Sequence, residues 1–239
     1  MSGILCAPVW RAKRANVTRR QTLISLGAAS FFIPQAVFAQ AASGCVLTPD
    51  SGEGPFYFDP DLLRSDIVDG HRGAPLGLDL EVVSADGCSV LTGARVDIWQ
   101  ADALGLYSGY ANQSGVGGGV TTDMRGRTYL RGTQISDADG RVSFATIYPS
   151  WYGGRTPHIH FKVFVSEREV IAGQVFFPDE INEEVFTTWD PYREHFRRRR
   201  AFNNNDMFLV DGSLQGAMAA VEQTAEGFRA SAQLAVAAG

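Results

Sequence analysis

The sequence alternates apolar and polar residues in short runs, and that two-residue period limits its fold more than any other feature. Leu76–Ser84 (LGLDLEVVS), Ala94–Gln100 (ARVDIWQ), Arg141–Ile147 (RVSFATI) and His158–Val165 (HIHFKVFV) follow it, and Val170–Phe177 (VIAGQVFF) is more fully apolar. Successive strand residues point to opposite faces of a sheet, so each run predicts a strand with at least one buried face. Turn chemistry separates the runs, as in Ala85-Asp86-Gly87, Asp137-Ala138-Asp139-Gly140 and Pro149-Ser150. The pattern predicts an all-β chain, a sandwich or barrel of mostly antiparallel strands with long loops. Thr48 to Asp61 (TPDSGEGPFYFDPD) reads as an irregular lead-in, and Ser108 to Gly126 as a glycine-rich loop. Gly212 to Thr224 is rich enough in alanine for a helix. Phe228, Ala230, Ala232, Leu234 and Val236 alternate with Arg229, Ser231, Gln233 and Ala235, which predicts a closing strand, edge or central.

Residues 1–39 carry five basic side chains (Arg11, Lys13, Arg14, Arg19, Arg20) and no carboxylate. The paired Arg19-Arg20, the apolar stretch from Leu23 to Ala39 and the small residues around Ala39 and Ala41 read as a twin-arginine signal peptide. The apolar stretch is short and broken by Gly27, Pro34 and Gln35, which disfavours the rival reading of a retained membrane anchor. A cleaved signal over residues 1–39 and a β-domain over 40–239 are the expected organisation. The twin-arginine export machinery would then be a partner, and the mature protein periplasmic or secreted with no membrane attachment. That machinery carries folded proteins, often with a cofactor already loaded. Without the signal, 16 basic residues face 26 acidic ones, a net of −10. Such a body is repelled by nucleic-acid phosphates and anionic membranes, so a small-molecule ligand is the expected partner. Cys6 lies in the signal. Cys45 and Cys88 remain as a pair in an oxidising compartment and are expected to form a disulfide.

Chemistry concentrates in Pro157-His158-Ile159-His160-Phe161. Residues i and i+2 of a strand share a face about 6.6 Å apart, so both imidazoles can reach one metal ion. Two histidines do not complete a site, and His71 and His195 have no pattern linking them to it. Tyr107 and Tyr152, each in turn-like sequence, are the better candidates for further ligands. Phenols titrate near about 10, but a highly charged cation stabilises the phenolate, and hard oxygen donors suit a hard ion such as Fe(III).

Val96-Asp97-Ile98-Trp99-Gln100-Ala101-Asp102 leading to Gly105-Leu106-Tyr107, then Asp139 to Ile147, Tyr152, and Arg155-Thr156-Pro157-His158-Ile159-His160-Phe161 together resemble the intradiol ring-cleavage dioxygenases. The lead-in Gly52-Glu53-Gly54-Pro55-Phe56-Tyr57 is similar to that family's N-terminal signature. The resemblance covers about residues 48–236. It implies a β-sandwich that binds non-haem Fe(III), with Tyr107 and His158 as equatorial ligands and Tyr152 and His160 as axial ones. It further implies that Tyr152 is displaced by substrate, that Arg155 stabilises the activated substrate and that Gln174 lies beside the site. The implied reaction cleaves a catechol-type diol with O2 as co-substrate, giving a cis,cis-muconate-type diacid. In this sequence the Tyr152–His158 connection is short, so an open pocket wall is expected there. Tyr148 and Tyr110 lie close enough in sequence to Tyr152 and Tyr107 to be rivals for their places. The chain has no counterpart of the helical N-terminal extension of catechol 1,2-dioxygenases, and resembles a single protocatechuate dioxygenase-type subunit.

Two other readings use the same strand: a secreted zinc or copper metalloenzyme, and a non-catalytic β-sandwich binding module. The first lacks a convincing third histidine and the second needs neither tyrosine. Arg197–Arg200 is read as a solvated or salt-bridged face. The sequence names neither the catechol nor the oligomeric state.

Overall fold

The computed structural model describes residues 45–59, 61–116, 121–209 and 218–237. The signal segment 1–39 lies outside them. All described residues belong to one unit, Ala41–Gly239.

Eight strands form two four-stranded sheets. β1 (Pro75–Ser84), β4 (Arg141–Ile147), β7 (Ala220–Gln223) and β8 (Phe228–Val236) form one, in the order β4-β1-β8-β7. β2 (Arg95–Gln100), β3 (Arg131–Ile135), β5 (His158–Val165) and β6 (Arg168–Phe176) form the other, in the order β3-β2-β5-β6. Every pairing is antiparallel except β1 with β8. The architecture is an all-β sandwich.

Alternate residues explain the packing. Leu76, Leu78, Leu80 and Val82 of β1, Val142 and Phe144 of β4, and Phe228, Ala230 and Leu234 of β8 meet Val96, Ile98, Ile159, Phe161, Val163 and Val175 of the second sheet in one core. Each large apolar side chain buried there contributes about 1.5–3 kcal/mol. The first sheet turns its other residues, such as Asp79, Arg141, Ser143 and Arg229, towards solvent. The second sheet is buried on both faces. Its outer face is covered by the lead-in segment and loops, where Trp99, Ala101 and Tyr107 pack with Phe56, Tyr57 and Tyr152. Since Ile159 and Phe161 face the core, the pleat sends His158 and His160 to this covered outer face.

Three elements depart from the expectations. β3 (RGTQI) has no apolar alternation and is a strand because it pairs with β2 from Arg95 to Trp99. α1 (Asp179–Thr188) was not expected, although Pro178 before Asp179 and Glu180 is a start signal, acids at a helix N-terminus favouring its dipole. The alanine-rich helix over 212–224 is corrected where it is described. Ala220–Gln223 is strand β7, hydrogen-bonded along β8, and this tertiary pairing overrides local propensity. The start of that segment lies outside the described residues.

Cys45 and Cys88 are disulfide-bonded, with 5.6 Å between their Cα atoms. A cross-link closing 43 residues stabilises by about 4 kcal/mol in the chain-entropy model. Reduction is therefore expected to lower the unfolding midpoint in guanidinium clearly; equal midpoints with and without reductant would show that the bridge contributes nothing.

Candidate metal centre

The outer face of the second sheet gathers four side chains around one point. His158 and His160 stand on β5. His160 lies opposite Trp99 on β2 and Gln174 on β6, and its ring stacks on Trp99 with centroids 4.9 Å apart. Tyr107 ends a turn closed by Asp102, whose Oδ1 accepts the N–H groups of Leu104 and Leu106 at 2.9 Å each. Gly105 in that turn has φ +76°, and a Cβ there would lie 2.7 Å from the Trp151 carbonyl, so only glycine fits. Gln113 clamps the Tyr107 backbone, accepting its N–H at 2.7 Å and donating to its carbonyl. Tyr152 precedes a tight turn to Arg155, with Gly153 and Gly154 at φ +49° and +96°. Open space adjoins both glycines, as the short connection leads one to expect.

The Tyr107 hydroxyl lies 3.2 Å from that of Tyr152 and 3.3 Å from His158 Nε2. His158 Nε2 is 3.2 Å from the Tyr152 hydroxyl and 3.1 Å from His160 Nε2. His158 Nδ1 donates to the Thr156 carbonyl at 2.6 Å, which leaves Nε2 as a bare lone pair. One lone pair accepts one proton, yet three groups converge on it. Donors about 2.0–2.2 Å from a shared ion lie about 3 Å from one another around it. The separations fit two oxygens and two nitrogens prepared for one cation. Burial holds both imidazoles well below their ordinary pKa, hence neutral with lone pairs to give. Burial likewise pushes the Tyr107 hydroxyl well above 10, and that of Tyr152 upward, the latter opposed by the Tyr107 hydrogen bond and the Arg155 charge. A bound cation reverses that balance in favour of phenolate.

Arg155 reaches the same place. Its Nε donates to Asp206 Oδ2 at 2.9 Å, and its Nη2 donates to Gln174 Oε1. Gln174 in turn donates to Ser51 Oγ at 3.1 Å. All six residues singled out from the sequence, Tyr107, Tyr152, Arg155, His158, His160 and Gln174, therefore belong to one cluster.

The rivals lie elsewhere. The Tyr148 hydroxyl donates to Asn182 in the main core, and Tyr110 donates to the Tyr57 carbonyl. His71 packs on Tyr129 with centroids 3.7 Å apart. Among the described residues, no group of three His, Cys, Asp or Glu side chains is placed to hold a metal.

Residues 49–192 match the family described as Dioxygenase. The intradiol ring-cleavage dioxygenase of Tetranychus urticae is 30% identical, with a TM-score of 0.71, over 80% of this chain and 95% of that one. This chain belongs to the intradiol ring-cleavage dioxygenase family. A second solved family member, the dioxygenase domain of a dioxygenase–carbohydrate-binding fusion from Streptomyces sp. SirexAA-E, is 30% identical with a TM-score of 0.55, over 79% of this chain and 96% of that domain. The hydroxyquinol 1,2-dioxygenase of Corynebacterium glutamicum is 27% identical over 172 residues, 61% of this chain and 52% of that protein. The chain spans about half the length of the curated relatives it matches.

Several residues that complete this cluster had no separate signal in the sequence. Phe56 stacks on Tyr107 at 4.4 Å and meets Tyr152 edge-on at 6.1 Å. Tyr57 donates to Asp97 at 2.9 Å and so ties the lead-in segment to β2. Arg131 is 1% exposed, donates to Ser108 Oγ and to the Ser108 carbonyl at 2.8 Å each, and lies over the Phe58 ring. Burial lowers its pKa to about 10. It braces the loop that follows Tyr107. Asp206 is fully buried behind Arg155.

Proposed function

We propose that this domain cleaves a catechol-type diol between its two hydroxylated carbons, adding both atoms of O2 to give a cis,cis-muconate-type diacid. The convergence of the Tyr107 and Tyr152 hydroxyls with His158 Nε2 and His160 Nε2 carries the reading, and family membership supports it. These four residues would hold non-haem Fe(III), which when bound supplies a Lewis acid that polarises a chelated catechol.

The protein's own groups divide the remaining work. Tyr107 is fully buried under Phe56 and held by Gln113, so it stays in place. Tyr152 is half-buried and borders an open cavity, so it is the tyrosine that yields to substrate and takes up a hydroxyl proton at its phenolate oxygen. Arg155 stabilises negative charge that develops on the substrate. Gln174 orients Arg155, and Trp99 and Phe56 exclude water from the ligands.

The cavity beside Tyr152, about 190 Å³, is lined by Phe56, Asn112, Gln113 and Ser114 among others, with no Lys, Arg or His. The segments 117–120 and 210–217 contain none in the sequence either. Arg155 is not among the residues lining the cavity. A ring carboxylate would therefore enter this pocket without a partner, which costs at least about tenfold in kcat/KM. The test supplies catechol and protocatechuate with 18O2 to the iron-loaded protein. Both labels are expected in the diacid from catechol, with protocatechuate at least about tenfold slower. Faster protocatechuate turnover would contradict the uncharged pocket, and turnover of neither diol would contradict the reaction.

The same reading extends to the cell: residues 1–39 act as a twin-arginine signal peptide and the mature domain works in the periplasm or outside. The Cys45–Cys88 disulfide supports an oxidising compartment. Among the described residues, no helix is long and apolar enough to cross a membrane.

A further inference from the structure

The loop after the second sheet contributes a carboxylate to the centre that nothing in the strand motifs announces. Asp206 is fully buried, and both of its oxygens are occupied by donors from the site and from its own loop. Oδ2 accepts Arg155 Nε–H and the Thr156 backbone N–H, each at 2.9 Å. Oδ1 accepts the Phe208 N–H at 3.0 Å, and the Phe208 ring lies 4.2 Å beneath the Arg155 guanidinium carbon. The loop is fastened to the body in turn. Thr156 Oγ1 donates to Asn203 Oδ1 at 2.9 Å, and Asn203 Nδ2 donates to the Phe177 carbonyl at 2.8 Å.

We infer that Asp206 is a positioning residue that sets both the orientation of Arg155 and the tautomer of His158. This rests on the ring-cleavage reading above. Two effects follow from one carboxylate. With Nε held by Asp206 and Nη2 by Gln174, the guanidinium plane is fixed by both ends and by the Phe208 ring below. An arginine so fixed presents its charge at one place without reorganising during the reaction, which is the condition for strong electrostatic catalysis. The second effect passes through the backbone of Thr156, whose N–H and C=O lie in adjacent peptide units. Asp206 holds that N–H, and the Thr156 carbonyl accepts the proton of His158 Nδ1, which directs the Nε2 lone pair at the cluster. Partners of this outer kind typically contribute about 10–100-fold in activity or metal affinity.

The test compares the parent, Asp206→Asn, Arg155→Ala and the double variant as iron-loaded proteins. Each is read by kcat and KM for catechol, by anaerobic optical titration with catechol, and by thermal unfolding. Asp206→Asn keeps shape and removes the charge. It is expected to lower kcat about 10–100-fold with KM nearly unchanged. Per bound iron, the double variant is expected to be no slower than Arg155→Ala, since Asp206 acts on the catalytic step through Arg155; its action on His158 is read separately, as iron content lowered in both Asp206 variants and unchanged in Arg155→Ala. If Asp206→Asn does not fold, Asp206→Ser, which leaves room for water at the Thr156 and Phe208 amides, is expected to act in the same direction. A folded Asp206 variant with kcat within twofold of the parent, losses in kcat per bound iron that multiply in the double variant, or iron content equal to the parent's in every Asp206 variant would overturn the assignment. A parent that neither changes its spectrum with catechol nor cleaves it overturns the ring-cleavage reading itself, and this positioning role with it.

Discussion

Replacing His158 by alanine is expected to abolish ring cleavage, with a loss of about 10³-fold or more, while the protein still folds. His158 Nε2 is the atom around which the other three donors gather, at 3.1–3.3 Å. Without it the proposed centre would lose one of its four ligands and the contact that holds the two phenols and His160 in register. A Lewis acid worth several kcal/mol of transition-state stabilisation corresponds to about a thousandfold in rate. The fold is expected to survive because Ile159 and Phe161, not the histidines, face the inter-sheet core. The measurement is iron content together with catechol turnover and far-ultraviolet circular dichroism. A folded His158→Ala protein with full iron and full turnover would remove His158 from the ligand set.

Arg155→Ala is expected to act differently, lowering kcat about 10²–10³-fold, the usual magnitude for a charge-stabilising donor, with iron content unchanged. Arg155 is not one of the four proposed ligands; it is engaged by Asp206 and Gln174 and lies beside Tyr152. Its loss also leaves the Asp206 carboxylate buried and unpaired, which costs about 3–5 kcal/mol of stability when one member of a buried pair is removed. Thermal unfolding should therefore fall together with kcat. Arg155→Lys separates the two effects, because it keeps the charge but cannot bridge Asp206 and Gln174 with one planar group. It should recover stability more than rate. Parity of kcat between Arg155→Ala and the parent would show that the guanidinium has no part in the chemistry.

The strands were legible because alternation survives wherever one face is apolar. β4 and β5 fall on the expected residues, and β1, β2 and β6 within two residues of them. β8 was expected as a closing strand, edge or central, and is central, between β1 and β7. β3 was invisible because its residues are held by pairing with β2 rather than by a pattern of their own. The helical reading of 212–224 followed alanine content, whereas Ala220–Gln223 obeys the hydrogen bonds offered by β8. At the centre, strand parity alone put His158 and His160 on one face. Tyr107 and Tyr152 were candidates from their turn-like sequence, and their ligand roles came from the family resemblance, because loop tyrosines carry no period. Asp206 was out of reach for a further reason: it lies 51 residues from Arg155 in a loop with no regular pattern, and a contact of that range leaves no local trace.

The most direct measurement is the visible absorption spectrum of the purified mature protein, recorded before and after anaerobic addition of catechol. Tyrosinate bound to Fe(III) gives a broad charge-transfer band and a red-brown solution, and the account requires that band together with a shift when catechol chelates. A colourless protein that carries stoichiometric zinc or copper, or a coloured one that catechol leaves unchanged, would contradict it.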